Sequence, residues 1–122
     1  MAAPFGYSDV DLSIAAAKAQ VFIGFCKVNA FYAFNHTMSI RYLQIWDLGR
    51  APILGTDKPT WQFGISAAAV ANQGAPPASA TFNAGLKCVN GFYWAITTAS
   101  GATASLASPG DVDGAIDWEL RP

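Results

Sequence analysis

The stretch AIDWEL, residues 115–120, alternates apolar and acidic side chains with a period of two. Ile116, Trp118 and Leu120 share one phase, and Asp117 and Glu119 share the other. This alternation is typical of a half-buried antiparallel strand, because successive side chains of a strand point to opposite faces. The same period recurs in WQFGI, residues 61–65, and in FYWAIT, residues 92–97. The sequence therefore predicts an all-β protein.

Turn-forming residues separate the apolar runs at short and regular spacing. They lie at Asn35-His36, residues 49–59, residues 72–77, Asn90-Gly91 and residues 108–111. Asn90-Gly91 indicates a tight turn, because both residue types tolerate positive φ. The pattern predicts one domain spanning the whole chain, an antiparallel β-sandwich of about eight strands that is jelly-roll-like.

Two runs, residues 21–28 and 40–46, are apolar on nearly both faces. Such strands are covered on each side, either by a second sheet or by another subunit. Only residues 13–20 carry a helical pattern, enough for one or two turns. The predicted core consists of inward-facing apolar residues: Phe22 to Val28, Ile40 to Ile45, Phe63, Ile65, Phe92, Ile96 and Ile116.

Charged residues make up 12% of the 122 residues, against about 25% in an average soluble domain. Small polar and apolar residues must therefore form much of the surface, which favours permanent burial against neighbouring proteins. The formal net charge is −1 and the seven Lys and Arg residues are scattered, so no nucleic-acid partner is predicted. No run of about 20 apolar residues is present and the first residues lack a signal-peptide pattern, so we expect no membrane span and synthesis in a cytoplasm.

Catalytic chemistry finds little support in the residue types. The single histidine, His36, lies beside a turn, and we interpret it as bonded to backbone or water. Cys26 and Cys88 lack zinc-site spacing and are predicted to be buried free thiols. Asp111-Val-Asp113-Gly114 resembles a fragment of a calcium loop without the remaining ligands. We predict no enzyme activity, no cofactor and no metal, and we interpret the acids near the C-terminus as a solvated strand face.

Trp and Tyr side chains also build sugar-binding platforms, which leaves a second function class open. Each of the four tryptophans falls in a predicted strand with apolar neighbours in phase, which favours core positions. A carbohydrate-binding role is therefore the alternative rather than the first interpretation.

Four segments in a fixed order carry a family resemblance. They are RYLQIWD at 41–47, PTWQFGI at 59–65, AGLKCVNGFYWAITT at 84–98 and PGDV at 109–112. This order resembles small β-sandwich virion proteins coded among the structural genes of tailed bacteriophages. The resemblance spans residues 20–120 and implies a capsid decoration (cement) protein that binds and stabilises the shell of the major capsid protein. A tail-associated or receptor-binding protein of the virion is the alternative that it leaves open.

Residues on the outward faces are the predicted contacts of such an assembly. Tyr42 and Trp46 lie on a strand that is apolar on both sides, and their cover is expected to come from another subunit. Phe5 and Tyr7 belong to residues 1–11, which we interpret as an extended N-terminal arm. The resemblance implies a homotrimer on the capsid surface, with another virion protein as the alternative partner.

Overall fold

The structure is a computed structural model that describes residues 8–12, 19–23, 25–67, 78–102 and 105–120. The described part contains no α-helix, and all its regular elements are strands, which confirms the all-β prediction. In chain order they are β1 (Ser8–Asp11), β2 (Ala19–Ile23), β3 (Cys26–Asn35), β4 (Arg41–Trp46), β5 (Trp61–Ile65), β6 (Ala78–Cys88), β7 (Gly91–Thr97) and β8 (Val112–Leu120).

The strands form two sheets in which every pairing is antiparallel. Sheet 1 has the order β1-β8-β3-β6, and sheet 2 has the order β2-β7-β4-β5. All connections between consecutive strands cross from one sheet to the other, except the one between β4 and β5. Strands that are neighbours in a sheet are therefore mostly distant in sequence.

The main core lies between the two sheets, which pack face to face in a sandwich-like arrangement. Phe31 of sheet 1 contacts Phe63 of sheet 2 with ring centroids 4.9 Å apart, and Phe92 meets Trp118 edge-on at 6.0 Å. The predicted core residues that are fully buried here are Cys26, Val28, Leu43, Ile45, Ile65, Phe92, Ile96 and Ile116. Burial of apolar area from both sheets is the main stabilising term.

The prediction of burial in the core is wrong for two residues. Phe25 is 55% exposed and Ile40 is 44% exposed. Phe25 precedes the buried Cys26, so it has the opposite phase. Ile40 shares the phase of Tyr42 and lies with it over Gly64 on the outer face of sheet 2.

The predicted helical turn is also wrong at its end, because β2 begins at Ala19. Residues 13–18 lie outside the described part of the chain, as do the side chains of β1 and β2, Phe22 included.

A β-bulge in β3 sets which residues of this strand face the core. The register with both neighbours shifts between Val28 and Ala30. The inward positions are even-numbered before the shift and odd-numbered after it, so Phe31 is buried while Tyr32 faces outward. A one-residue slip moves a whole strand segment to the other face.

The same bulge buries the polar residue Asn35, which is 1% exposed at the end of β3. Its amide nitrogen donates to the carbonyl oxygens of Ser39 at 2.8 Å and Ile65 at 3.1 Å. Its amide oxygen accepts from the backbone N–H and the hydroxyl of Thr37. The amide is thereby satisfied on both sides, which removes the cost of burying it.

The Asn90-Gly91 signal marks a turn that joins the two sheets, since β6 and β7 belong to different ones. The Asp47 carboxylate at the end of β4 fixes this turn. Its Oδ1 accepts from the backbone N–H groups of Val89, Asn90 and Gly91 at 3.0, 2.7 and 3.2 Å.

Cys26 and Cys88 are a register pair across β3 and β6, and both are buried thiols that no disulfide joins. A hydrogen bond between the two side chains, together with burial, raises the pKa of Cys88 far above its ordinary value. The neutral thiol is therefore the stable form, and the pair serves as core packing.

Candidate docking face on sheet 1

The outer face of sheet 2 is covered around Trp46 by the chain's own β4–β5 loop. Trp46, Tyr93 and Ala95 form a second buried cluster there, packed beneath Leu48 and its neighbours in the β4–β5 loop. Trp46 is 1% exposed, and its indole N–H donates to the carbonyl oxygen of Asp57 at 3.2 Å.

The predicted interface role of Trp46 therefore needs correction, because intramolecular cover replaces the expected neighbour. Tyr42 is half-buried on the same face. Phe5 and Tyr7 lie outside the described residues.

An ion pair within the β4–β5 loop holds this cover in place. Asp57 accepts from both terminal nitrogens of Arg50, at 2.7 and 3.0 Å, and from the backbone N–H of Ile53 at 2.7 Å. These bonds lower the pKa of Asp57 from 3.8 to about 2, and the hydrogen bond from Arg50 has the largest effect. The ionised carboxylate therefore stabilises the closed loop above pH 3.8, and this stabilisation is lost as the pH falls through about 2.

We expect the loop over Trp46 to loosen between pH 4 and pH 2. The measurement is the indole N–H cross-peak of Trp46 in two-dimensional NMR spectra, which should shift in this window with a midpoint near the pKa of Asp57. In the control variant Asp57→Asn the same cross-peak should be displaced at neutral pH and should not titrate there. A wild-type cross-peak that stays constant from pH 4 to pH 2 would contradict the assignment.

Sheet 1 presents a different outer face. On it, residues of three adjacent strands lie in two rows. One row holds Ala115, Tyr32 and Ser79, and the next holds Asp117, Ala30 and Thr81. Together with Phe31 they line a depression of about 360 Å³. Small side chains at four of these positions leave the space.

One exposed aromatic ring lines this depression, and a second exposed ring contacts the first. Tyr32 is 52% exposed and Phe34 is 36% exposed, and the two rings meet edge-on with centroids 6.3 Å apart. The contact restrains the Tyr32 ring while leaving much of its surface free. Aromatic groups that are rigid and partly exposed are favoured anchors for binding partners.

Asp117 differs from the other acids of β8. Lys27 Nζ lies 2.8 Å from Glu119 Oε1, and His36 Nε2 lies 2.6 Å from Asp113 Oδ2. Asp117 Oδ1 is buried and accepts no hydrogen bond from any described residue. The interpretation of these acids as a simple solvated face therefore does not fit Asp117.

The polar residues at the end of β3 and the start of β8 bond to one another within the chain. His36 donates its backbone N–H to Asp111 O at 2.9 Å, but its ring contacts the Asp113 carboxylate rather than the predicted backbone or water. Asp111 accepts from Arg41 Nε at 3.2 Å. Both carboxylates of the calcium-loop fragment thus have side-chain partners, and within the described ranges no three His, Cys, Asp or Glu side chains are grouped to hold a metal ion.

Comparisons of the chain with family models, with curated proteins and with solved structures found no match. The described part also holds no helix long and apolar enough to span a membrane.

Sequence reasoning missed Tyr32, Ala30 and Asp117 as site residues. The alternation in CKVNAFYAFN, residues 26–35, contains two possible phases, and only the bulge selects the one that exposes Tyr32.

Proposed function

We propose that this chain is a structural protein of a bacteriophage particle, a capsid decoration protein that binds and stabilises the shell formed by the major capsid protein. The observation that carries the proposal is the asymmetry of the two outer faces. The β4–β5 loop covers sheet 2 around Trp46 and leaves Ile40 exposed at the other end, whereas sheet 1 leaves the Tyr32 and Phe34 rings exposed beside a depression. The low fraction of charged residues, 12%, suits a protein whose surface is permanently buried against neighbouring proteins.

We also propose that the sandwich is a jelly roll. The strand order β1-β8-β3-β6 facing β2-β7-β4-β5 supports it, because each sheet alternates early and late strands and nearly all connections cross between sheets. A jelly roll consists of eight strands in two Greek keys and is common in viral shell proteins. This agrees with the family resemblance of the sequence.

Co-sedimentation with empty capsids, assembled from the major capsid protein of the same genome, tests the function. We expect the purified chain to pellet with capsids and the Tyr32→Ser variant to bind at least about tenfold more weakly, as for a buried aromatic anchor. Phe25→Ser is the matched control, since it removes another exposed aromatic ring that does not line the depression and should bind like wild type. A chain with no affinity for capsids would overturn the proposal.

The proposed homotrimer and the arm are tested separately by analytical ultracentrifugation, with and without residues 1–11. A trimer at micromolar concentration is expected. A monomer at that concentration would refute the trimer, and unchanged capsid binding after deletion would refute the arm.

A second candidate is a receptor-binding or carbohydrate-binding protein of the virion, tail-associated rather than on the shell. The exposed Tyr32 ring beside the depression favours it, because sugars stack on aromatic faces. Glycan binding on an array together with absent capsid binding would select this candidate.

A further inference from the structure

We infer that the depression on sheet 1 binds an arginine side chain of a partner protein, stacked on Tyr32 and paired with Asp117. The inference deepens the proposed function and rests on it only in taking the partner to be the shell protein. Three features of the described residues carry it: the unpaired carboxylate oxygen, the exposed aromatic ring and the space between them.

The first feature is the Asp117 carboxylate, which favours a cationic ligand. Asp117 Oδ1 is buried without a hydrogen bond from any described residue, whereas Glu119 and Asp113 are each paired. A buried carboxylate oxygen without a donor is costly, and a bound cation with N–H donors removes that cost.

The ring and the space favour a planar cation. Tyr32 shares the depression with Asp117 and is one row away from it. A guanidinium group stacks on an aromatic face and donates two parallel hydrogen bonds to one carboxylate. An ammonium group is compact and strongly hydrated, and it can neither stack as a plane on the ring nor donate two parallel hydrogen bonds in a fixed fork.

A neutral sugar fits the ring but not the charge. Its hydroxyl groups could donate to Asp117, yet they would leave the negative charge uncompensated in a partly desolvated place. Besides Asp117, the polar groups on the described side chains that line the depression are three hydroxyls, those of Tyr32, Ser79 and Thr81, and none carries a charge that would balance the carboxylate. The chemistry therefore favours a basic segment of a protein over a glycan.

NMR titration of the full chain with N-acetyl-arginine amide tests the site. We expect saturable shifts of the backbone amides of Ala30, Tyr32 and Ala115, with affinity that falls as salt is added. N-acetyl-citrulline amide has nearly the same shape without the charge and should cause no saturable shift. If methyl glycosides shift these amides and the arginine probe does not, the depression is a sugar site and the inference is wrong. If neither probe shifts them, the inference is also wrong.

Two variants that each remove one negative charge test whether Asp117 itself binds the arginine probe. Asp117→Asn should weaken binding of the arginine probe at least about tenfold, because it removes a charge-assisted hydrogen bond. Glu119→Gln makes the same change in net charge two residues away, at an acid already paired with Lys27, and should bind nearly as wild type. Equal affinities for both variants would overturn the role of Asp117. Unchanged NMR spectra elsewhere in each variant establish that it is folded.

The capsid assay separates this inference from the proposed function. If wild type and Asp117→Asn pellet equally with capsids and the arginine probe is inert, the inference fails and the decoration role stands. If the probe binds in an Asp117-dependent way and the chain ignores capsids, the site stands and the shell protein is not its partner.

Discussion

Replacing Phe92 with alanine is expected to lower the free energy of unfolding by about 3–5 kcal/mol. Phe92 is fully buried in β7 and contacts Trp118 of the opposite sheet. Its removal leaves a cavity where the two sheets meet and takes away the edge-on ring contact as well. Since small domains are stable by only about 5–15 kcal/mol, the variant should be close to unfolding. Urea denaturation followed by fluorescence gives the free energy.

The control is the same substitution at an exposed phenylalanine. Phe25 is 55% exposed, and Phe25→Ala should change the free energy of unfolding by no more than about 0.5 kcal/mol. The pair separates burial in the core from the loss of a phenyl ring as such. Comparable losses for both variants would show that Phe25 is part of the core, as the sequence pattern predicted, and that the phase at the start of β3 is misassigned.

Strands with strict alternation were predictable from local sequence. In β5 and β8, one face is apolar and the other polar or small, so a single phase satisfies burial. The structure buries Ile65, Ile116 and Trp118 accordingly. Every residue of β7 is buried, because one face meets the core and the other lies beneath loops. The half-buried strand that its period of two predicted is therefore wrong for the outer face.

The phase of β3 was not predictable from the same information. Both phases of its second half offer apolar side chains, and the bulge decides between Phe31 and Tyr32 for the core. The phase that is chosen buries Asn35, which local hydrophobicity disfavours. Hydrogen bonds to Ser39, Ile65 and Thr37 compensate for this, and they depend on residues up to 30 positions away.

The interface prediction failed at Trp46 for a related reason. A strand that is apolar on both faces requires a second cover, but the pattern does not say whether a loop or a subunit supplies it. The β4–β5 loop supplies it here, fastened by the Arg50–Asp57 pair.

Gly114→Ala is the second change with a large expected effect, a loss of about 3 kcal/mol or more in the free energy of unfolding. Gly114 has φ 137° in β8, where it is the register partner of Ala33. A Cβ added there would overlap the carbonyl oxygen of Tyr32 and lie 2.9 Å from Ala33 Cα. Both are backbone atoms of the central strand of sheet 1, so neither can rotate away. Relief requires β3 and β8 to separate beneath the row that holds Tyr32.

Gly110→Ala is the matched control for this prediction. Gly110 also has a positive φ, 87°, but a Cβ there meets nothing within 4 Å. Gly110→Ala should lower the free energy of unfolding by only about 1–2 kcal/mol, which is the cost of placing alanine in a left-handed backbone conformation. The difference between the two variants in urea denaturation measures the close approach of β3 and β8, and it should come with larger NMR shift changes at Tyr32 in Gly114→Ala. Equal losses would show that the two strands lie farther apart than the structure places them, and the Tyr32 row would then need a different register against Asp117.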